Sequence, residues 1–68
     1  MNEIDLEARA SRVTVEYMLR EIQDLALQIR TDIAISTKPE VLLAETHRIN
    51  SLVALINTQI RGYGREWL

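Results

Sequence analysis

The sequence predicts an all-α fold: one domain over residues 1–68, built as an antiparallel hairpin of two helices. Apolar residues recur at steps of three and four along residues 15–33, which is the spacing of one face of an α-helix. A second apolar arc of the same kind covers residues 41–60. The segment between them, Ser36 to Pro39, is short. A connection of that length places two helices side by side and antiparallel.

The first helix is predicted over residues 4–35, with one apolar stripe facing the second helix. The stripe consists of Val15, Met18, Leu19, Ile22, Leu25, Ala26, Ile29 and Ile33, and Ile4 and Ala8 continue it towards the N-terminus. The segment Ser11–Val15 contains a potential cap residue and three β-branched residues, which lowers helix propensity. A kink here, or a separate short N-terminal helix, is therefore the alternative to one long helix.

The turn is predicted over residues 36–38 and the second helix over residues 38–61. Thr37 and Glu40 have the spacing of a capping box, and Pro39 in the first helical turn removes no hydrogen bond that the helix needs. Gly62 is placed to end the helix in the left-handed conformation. The apolar arc consists of Val41, Leu42, Ile49, Leu52, Val53, Leu55, Ile56 and Ile60.

One acidic residue, Glu45, interrupts the apolar arc of the second helix. Folding the hairpin about residues 36 and 37 places it opposite the stripe of the first helix. A buried carboxylate without a partner is costly, so we expect Arg30 or Arg48 to neutralise it.

The composition argues against several classes of function. The chain has 68 residues, no cysteine, one histidine (His47) and a net charge of −2, with its basic residues scattered among acidic ones. We therefore expect no disulfide, no metal site, no cofactor and no nucleic-acid binding. The N-terminus lacks the features of a signal peptide, and no apolar run approaches the length of a membrane span. A cytoplasmic, non-enzymatic protein is the expectation.

Two groups of residues are predicted to bind a protein partner. Opposite the stripe, the first helix carries a second apolar row, formed by Leu6, Val13, Tyr17, Leu27 and Ile35. The alternative is that these are scattered surface residues, which are normal on soluble proteins. The second group is the C-terminal tail of residues 62–68, with Tyr63 and Trp67. This tail either covers the N-terminal end of the first helix, is presented to a partner, or is disordered.

A hairpin of this size buries little surface, so the lone monomer is not expected to be its stable form. Completion by a partner protein or by a second copy, as a homodimer, is predicted.

The chain resembles the small needle co-chaperones of bacterial type III secretion. The resemblance rests on the acid-rich start MNEIDLE, the segment ALQIRTDI at residues 26–33, the short turn, and INSLVALI at residues 49–56. It implies a cytoplasmic helical hairpin that binds a larger helical-repeat chaperone, the pair keeping the needle subunit from polymerising early. The alternative function is that of a small self-associating helical protein, for instance phage-encoded, that inhibits or sequesters a host factor.

Overall fold

The hairpin fold is confirmed by a computed structural model, which describes residues 3–67 except for the side chain of residue 4. Over this range the chain forms helix α1 (Glu3–Ala34), helix α2 (Pro39–Tyr63) and a terminal 3-10 helix (Gly64–Trp67). The two α-helices lie antiparallel along a rod of 51 × 15 × 15 Å. The fold is all-α, and the predicted continuation of the stripe to Ile4 concerns a side chain outside the described residues.

Helix α1 is a single element that continues through the segment of low helix propensity, so the alternative of a separate N-terminal helix is wrong. Thr14 donates its hydroxyl to the carbonyl of Ala10 at 2.9 Å. Ser11 donates across the hairpin to Oε1 of Gln59 at 2.6 Å. Because both hydroxyl groups are satisfied without displacing a backbone hydrogen bond, the helix continues without a cap at Ser11.

The turn ends α1 with a Schellman motif around Ser36, whose φ of 58° lies in the left-handed region. The amide of Ser36 donates to the carbonyl of Ile33 at 3.1 Å, and the amide of Thr37 donates to the carbonyl of Asp32 at 2.9 Å. These are the two hydrogen bonds that define the motif. They satisfy carbonyl groups that the helix leaves free at its C-terminal end.

The predicted capping box at Thr37 is wrong. Pro39 is the first residue of α2, so the cap position falls to Lys38, which makes no side-chain capping hydrogen bond. Thr37 stands one residue too early, and its amide closes α1 instead. The expected position of Pro39 in the first helical turn is confirmed.

Ser36→Gly is expected to raise the free energy of unfolding by up to about 1 kcal/mol, because glycine adopts the left-handed conformation without the steric cost that other residues meet. Thermal and urea denaturation followed by circular dichroism measures the change. Ser51→Gly, at an exposed helical position of α2, is the matched control and should lower the free energy of unfolding by about 0.5 kcal/mol. A destabilising Ser36→Gly would contradict the geometry of the turn.

The seam between α1 and α2 is narrower than predicted. The residues that lie in it are spaced alternately by three and four, as in a coiled coil. They are Ala8, Ser11, Val15, Met18, Ile22, Leu25, Ile29 and Asp32 on α1, and Leu42, Glu45, Ile49, Leu52, Ile56, Gln59 and Tyr63 on α2. The remaining members of the predicted arcs, Leu19, Ala26, Ile33, Val41, Val53, Leu55 and Ile60, are exposed. A single neighbouring helix covers only a strip of this width, so the flanks of both arcs stay in contact with solvent.

Helix α2 continues past the predicted end at Gly62. It runs to Tyr63, and Gly64 follows in a right-handed conformation with φ −54°, its amide bonded to the carbonyl of Ile60. The prediction of a left-handed Gly62 is wrong because the next residue, Tyr63, occupies a seam position and bonds to α1. That contact favours one more residue of helix over a break.

Candidate protein-binding surfaces

The first candidate surface is the outer row, which we define as Leu6, Val13, Tyr17, Leu27 and Ile35. Val13 lies nine residues before the seam residue Ile22, which is half a turn from it around the helix. The five side chains are between 49% and 69% exposed. Leu6, Val13, Tyr17 and Leu27 therefore lie on the side of α1 that α2 does not cover, whereas Ile35 lies in the turn just beyond the end of α1. The role of all five in binding stays a prediction.

The outer row includes a shallow depression of about 490 Å³, lined mainly by Val13, Tyr17, Arg20 and neighbouring side chains of α1. Because a single helix supplies all of its lining residues, the depression is open to solvent. Small-molecule sites are enclosed and bury most of their ligand.

The aromatic tail folds back onto α1. The hydroxyl of Tyr63 donates to Oε2 of Glu7 at 3.2 Å, and the Glu7 carboxylate raises the pKa of Tyr63, first by its charge and then through this hydrogen bond. Trp67 lines a second depression together with Ala8, Arg9 and Arg12. Both rings are half-buried.

Of the three alternatives for the tail, the structure shows the one in which it covers the N-terminal part of α1. Trp67 and Ala8 line the same depression. The indole Nε1 of Trp67 is buried and has no hydrogen-bond partner among the described residues. Partner binding by Tyr63 and Trp67 stays a prediction, and it requires a partner that reaches rings already packed on α1.

The two sides of the seam differ in chemistry. On one side, Arg48 Nη2 lies 2.8 Å from Oε1 of Glu21 and links the two helices. Each of these residues directly precedes a seam residue, Ile22 or Ile49. Arg48 was predicted to neutralise Glu45, and this prediction is wrong because Glu21 lies within reach across the seam.

The opposite side of the seam is mainly apolar, with Arg12 and Thr46 as its polar members. It carries the residues that directly follow Met18, Leu25, Asp32, Leu52 and Gln59 in the sequence. We call these five residues the side face: Leu19, Ala26, Ile33, Val53 and Ile60. Its four large side chains are between 41% and 60% exposed.

The sequence-based interpretation assigned the side face to the core. The period of the apolar pattern is the sequence signal that distinguishes the side-face residues from the seam residues. A strict repeat of three and four residues belongs to a two-helix seam, whereas a broader arc indicates an additional neighbour.

A pair of carboxylates lies at the turn end of the seam. Asp32 is buried, and it accepts a hydrogen bond from Nε2 of Gln28 at 3.0 Å. The pKa of Glu45 is raised above its usual 4.5, first by a side-chain hydrogen bond with Asp32, then by desolvation and by the charge of Asp32. The Oε2 atom of Glu45 is buried and has no hydrogen-bond partner among the described residues, and the proximity of Asp32 favours the protonated form of Glu45. The predicted neutralisation by Arg30 is also wrong, since it is Asp32 that sets the state of Glu45.

No site of another kind is found in the described part of the chain. His47 is exposed. Within residues 3–67, no three histidine, aspartate or glutamate side chains are grouped in a way that could hold a metal ion. Neither α1 nor α2, as far as the structure describes them, combines the length and apolar character needed to cross a bilayer.

The described residues form an all-α hairpin with exposed apolar surfaces and shallow depressions. Comparison of the chain with protein-family models, with curated proteins and with solved structures found no match.

Proposed function

We propose that this protein is a non-enzymatic binding module that attaches to a larger helical protein through the outer row of α1. The observation that carries the proposal is the exposure of the five large apolar side chains of the outer row, four on the side of α1 opposite the seam and Ile35 just beyond its end. Such a row presents anchors at helical spacing, the form in which helix-in-groove recognition reads a helix.

Tyr17 is the central anchor of this surface. Its ring is 67% exposed and stands beside Val13 and Arg20 at the depression on α1. Tyrosine and arginine are enriched among the residues that dominate binding energy at protein interfaces. The neighbouring polar residues of α1 surround this anchor, as the polar rim surrounds the apolar centre of a non-obligate protein interface.

The partner we propose is a helical-repeat chaperone of the needle subunit of a type III secretion system, with this hairpin as its co-chaperone. Support comes from the resemblance of the sequence to that family and from the shape of the molecule, a single hairpin of two helices. A concave surface built from stacked helix pairs suits a convex rod of this kind.

Tyr17→Ala and Val13→Asp are expected to abolish co-purification of the tagged protein with the helical-repeat chaperone of the same secretion system. Each change removes or charges an anchor at the middle of the outer row, and interface hot spots lose about 2 kcal/mol or more when truncated. Helix content by circular dichroism should be largely unchanged, because neither side chain lies in the seam.

The matched control is Leu43→Ala on α2, since Leu43 is as exposed as Tyr17, at 67%. It should leave co-purification intact. Unchanged assembly in both outer-row variants would show that the row is ordinary surface. Loss of assembly in the Leu43 variant alone would move the binding site to α2.

A further inference from the structure

We infer that the side face, formed by Leu19, Ala26, Ile33, Val53 and Ile60, binds the side face of a second copy of this chain. The product is a two-fold symmetric bundle of four helices. The side face shares no residue with the outer row, although Leu19 also lines the depression beside Val13 and Tyr17, and it adds self-association to the proposed attachment to a larger protein. Three observations support it: the excess surface of the hairpin, the order of side chains along the face, and the contrast between the two sides of the seam.

The hairpin exposes more solvent-accessible surface than a compact protein of the same mass. Its accessible area is 5473 Å², whereas a compact protein of 7.9 kDa exposes about 4400 Å². A dimer as compact as other proteins of its mass removes about 3600 Å² from the two chains together. This area lies within the range of about 2000–5000 Å² found for obligate dimers.

The order of side chains along the side face allows this face to pack against the side face of a second copy. The hydrogen bonds from Ser11 to Gln59 and from Arg48 to Glu21 fix which residues of α1 lie beside which residues of α2. Residues seven apart in the sequence then form successive levels about 10 Å apart along the rod. From the turn to the open end, these levels hold Ile33, then Ala26 with Thr46, then Leu19 with Val53, and finally Ile60 with Arg12.

A two-fold axis perpendicular to the rod exchanges its turn end and its open end. When the axis lies midway between the two central levels, it sets the small level, Ala26 with Thr46, against the large level, Leu19 with Val53, of the second copy. The same axis sets Ile33 against the level of Ile60 and Arg12. Facing layers that alternate small and large side chains interdigitate, which gives the self-complementary contact that an isologous interface requires.

The other side of the seam is not suited to the same contact. There the ion pair of Glu21 with Arg48 spans the two helices, and packing a second hairpin against it removes both charges from water. Desolvating an ion pair offsets much or all of its attraction. The apolar side carries no such cost at its two central levels, where alanine, threonine, leucine and valine lie.

Sedimentation equilibrium of the purified full chain at low micromolar concentration tests the inference. The unaltered protein should be a dimer. Val53→Asp should raise the dimer dissociation constant at least about 30-fold, the loss expected when an interface hot spot is removed. Leu55→Asp is the matched control, because Leu55 lies two residues further along α2, on the polar side of the seam, with similar exposure (51% against 41%). It should leave the dimer intact.

A second pair of variants separates dimerisation from folding. Ala26→Glu places a good helix former at an exposed position, so its effect on the isolated hairpin is small, yet it puts a charge at the centre of the interface. Ala54→Glu, exposed on the outside of α2, is its control. We expect Ala26→Glu to dissociate the dimer and Ala54→Glu and Val13→Asp to leave it intact.

The proposed interface is supported if Val53→Asp and Ala26→Glu each dissociate the dimer while both control variants remain dimeric. An unaltered protein that is a monomer or larger than a dimer overturns the inference. So does a dimer that survives both side-face variants, or one that Leu55→Asp weakens as much as Val53→Asp does.

Discussion

Leu52→Ala is expected to lower the free energy of unfolding by about 2–5 kcal/mol, the range found for truncating a buried leucine. Leu52 lies in the middle of the seam and is only 5% exposed. A domain of this size rarely has more than about 3–5 kcal/mol of stability in total. The variant should therefore be largely unfolded at room temperature, as judged by circular dichroism at 222 nm and by urea titration.

Leu55→Ala provides the control for this prediction. Leu55 is on the same helix but exposed, so its truncation removes few contacts and should change stability little. Ile22→Ala should fall towards the lower end of the range, because Ile22 is half-buried in the seam. If Leu55→Ala were the more damaging of the two leucine variants, the assignment of the seam would be wrong.

The second large effect concerns pH, through Glu45 and Asp32. Because the pKa of Glu45 is raised in the folded hairpin, the folded state binds a proton more tightly than the unfolded state does. The stabilising contribution is fully present below the usual pKa of 4.5 and is lost as the pH rises through the raised value. The melting temperature should therefore fall as the pH is raised from about 4 towards neutral, measured at constant ionic strength.

Glu45→Gln should remove most of this pH dependence and raise the melting temperature at neutral pH. Its amide can donate to the Asp32 carboxylate and carries no charge at any pH. Glu16→Gln is the control, because Glu16 is an exposed residue paired only with Arg12 on its own helix. A pH profile that Glu45→Gln leaves unchanged would show that the pair does not hold a shared proton.

The helices were predictable because their signals are local. The spacing of Val15, Ile22 and Ile29 depends only on the geometry of the α-helix, and Pro39 marks the start of α2 through its fixed φ and missing amide hydrogen. The outer row followed from the same geometry, since the position of Val13 around the helix axis needs no knowledge of the remaining fold.

The errors concern features that depend on neighbours. Leu19 and Val53 lie outside the strict repeat of three and four residues that marks a two-helix seam. The prediction placed them in the core because it treated the broad apolar arc as one surface, and a single neighbouring helix covers only part of that arc. The prediction that Arg48 neutralises Glu45 failed because Arg48 pairs with Glu21 across the seam. Gly62 remained helical because Tyr63 gains a contact one residue further on, and this long-range contact overrides the local preference of glycine.

The polar residues inside the seam also determine how the two helices align. Ser11 is bonded to Gln59 near the open end, and Asp32 meets Glu45 near the turn. A slip of one seven-residue repeat moves the Gln59 amide beside Met18, where it has no hydroxyl to bond. An unsatisfied buried polar group costs about 1–3 kcal/mol, a penalty that an all-leucine seam lacks. The polar seam residues thus reduce the apolar contact between the two helices, and they also make misaligned pairings of these helices less stable.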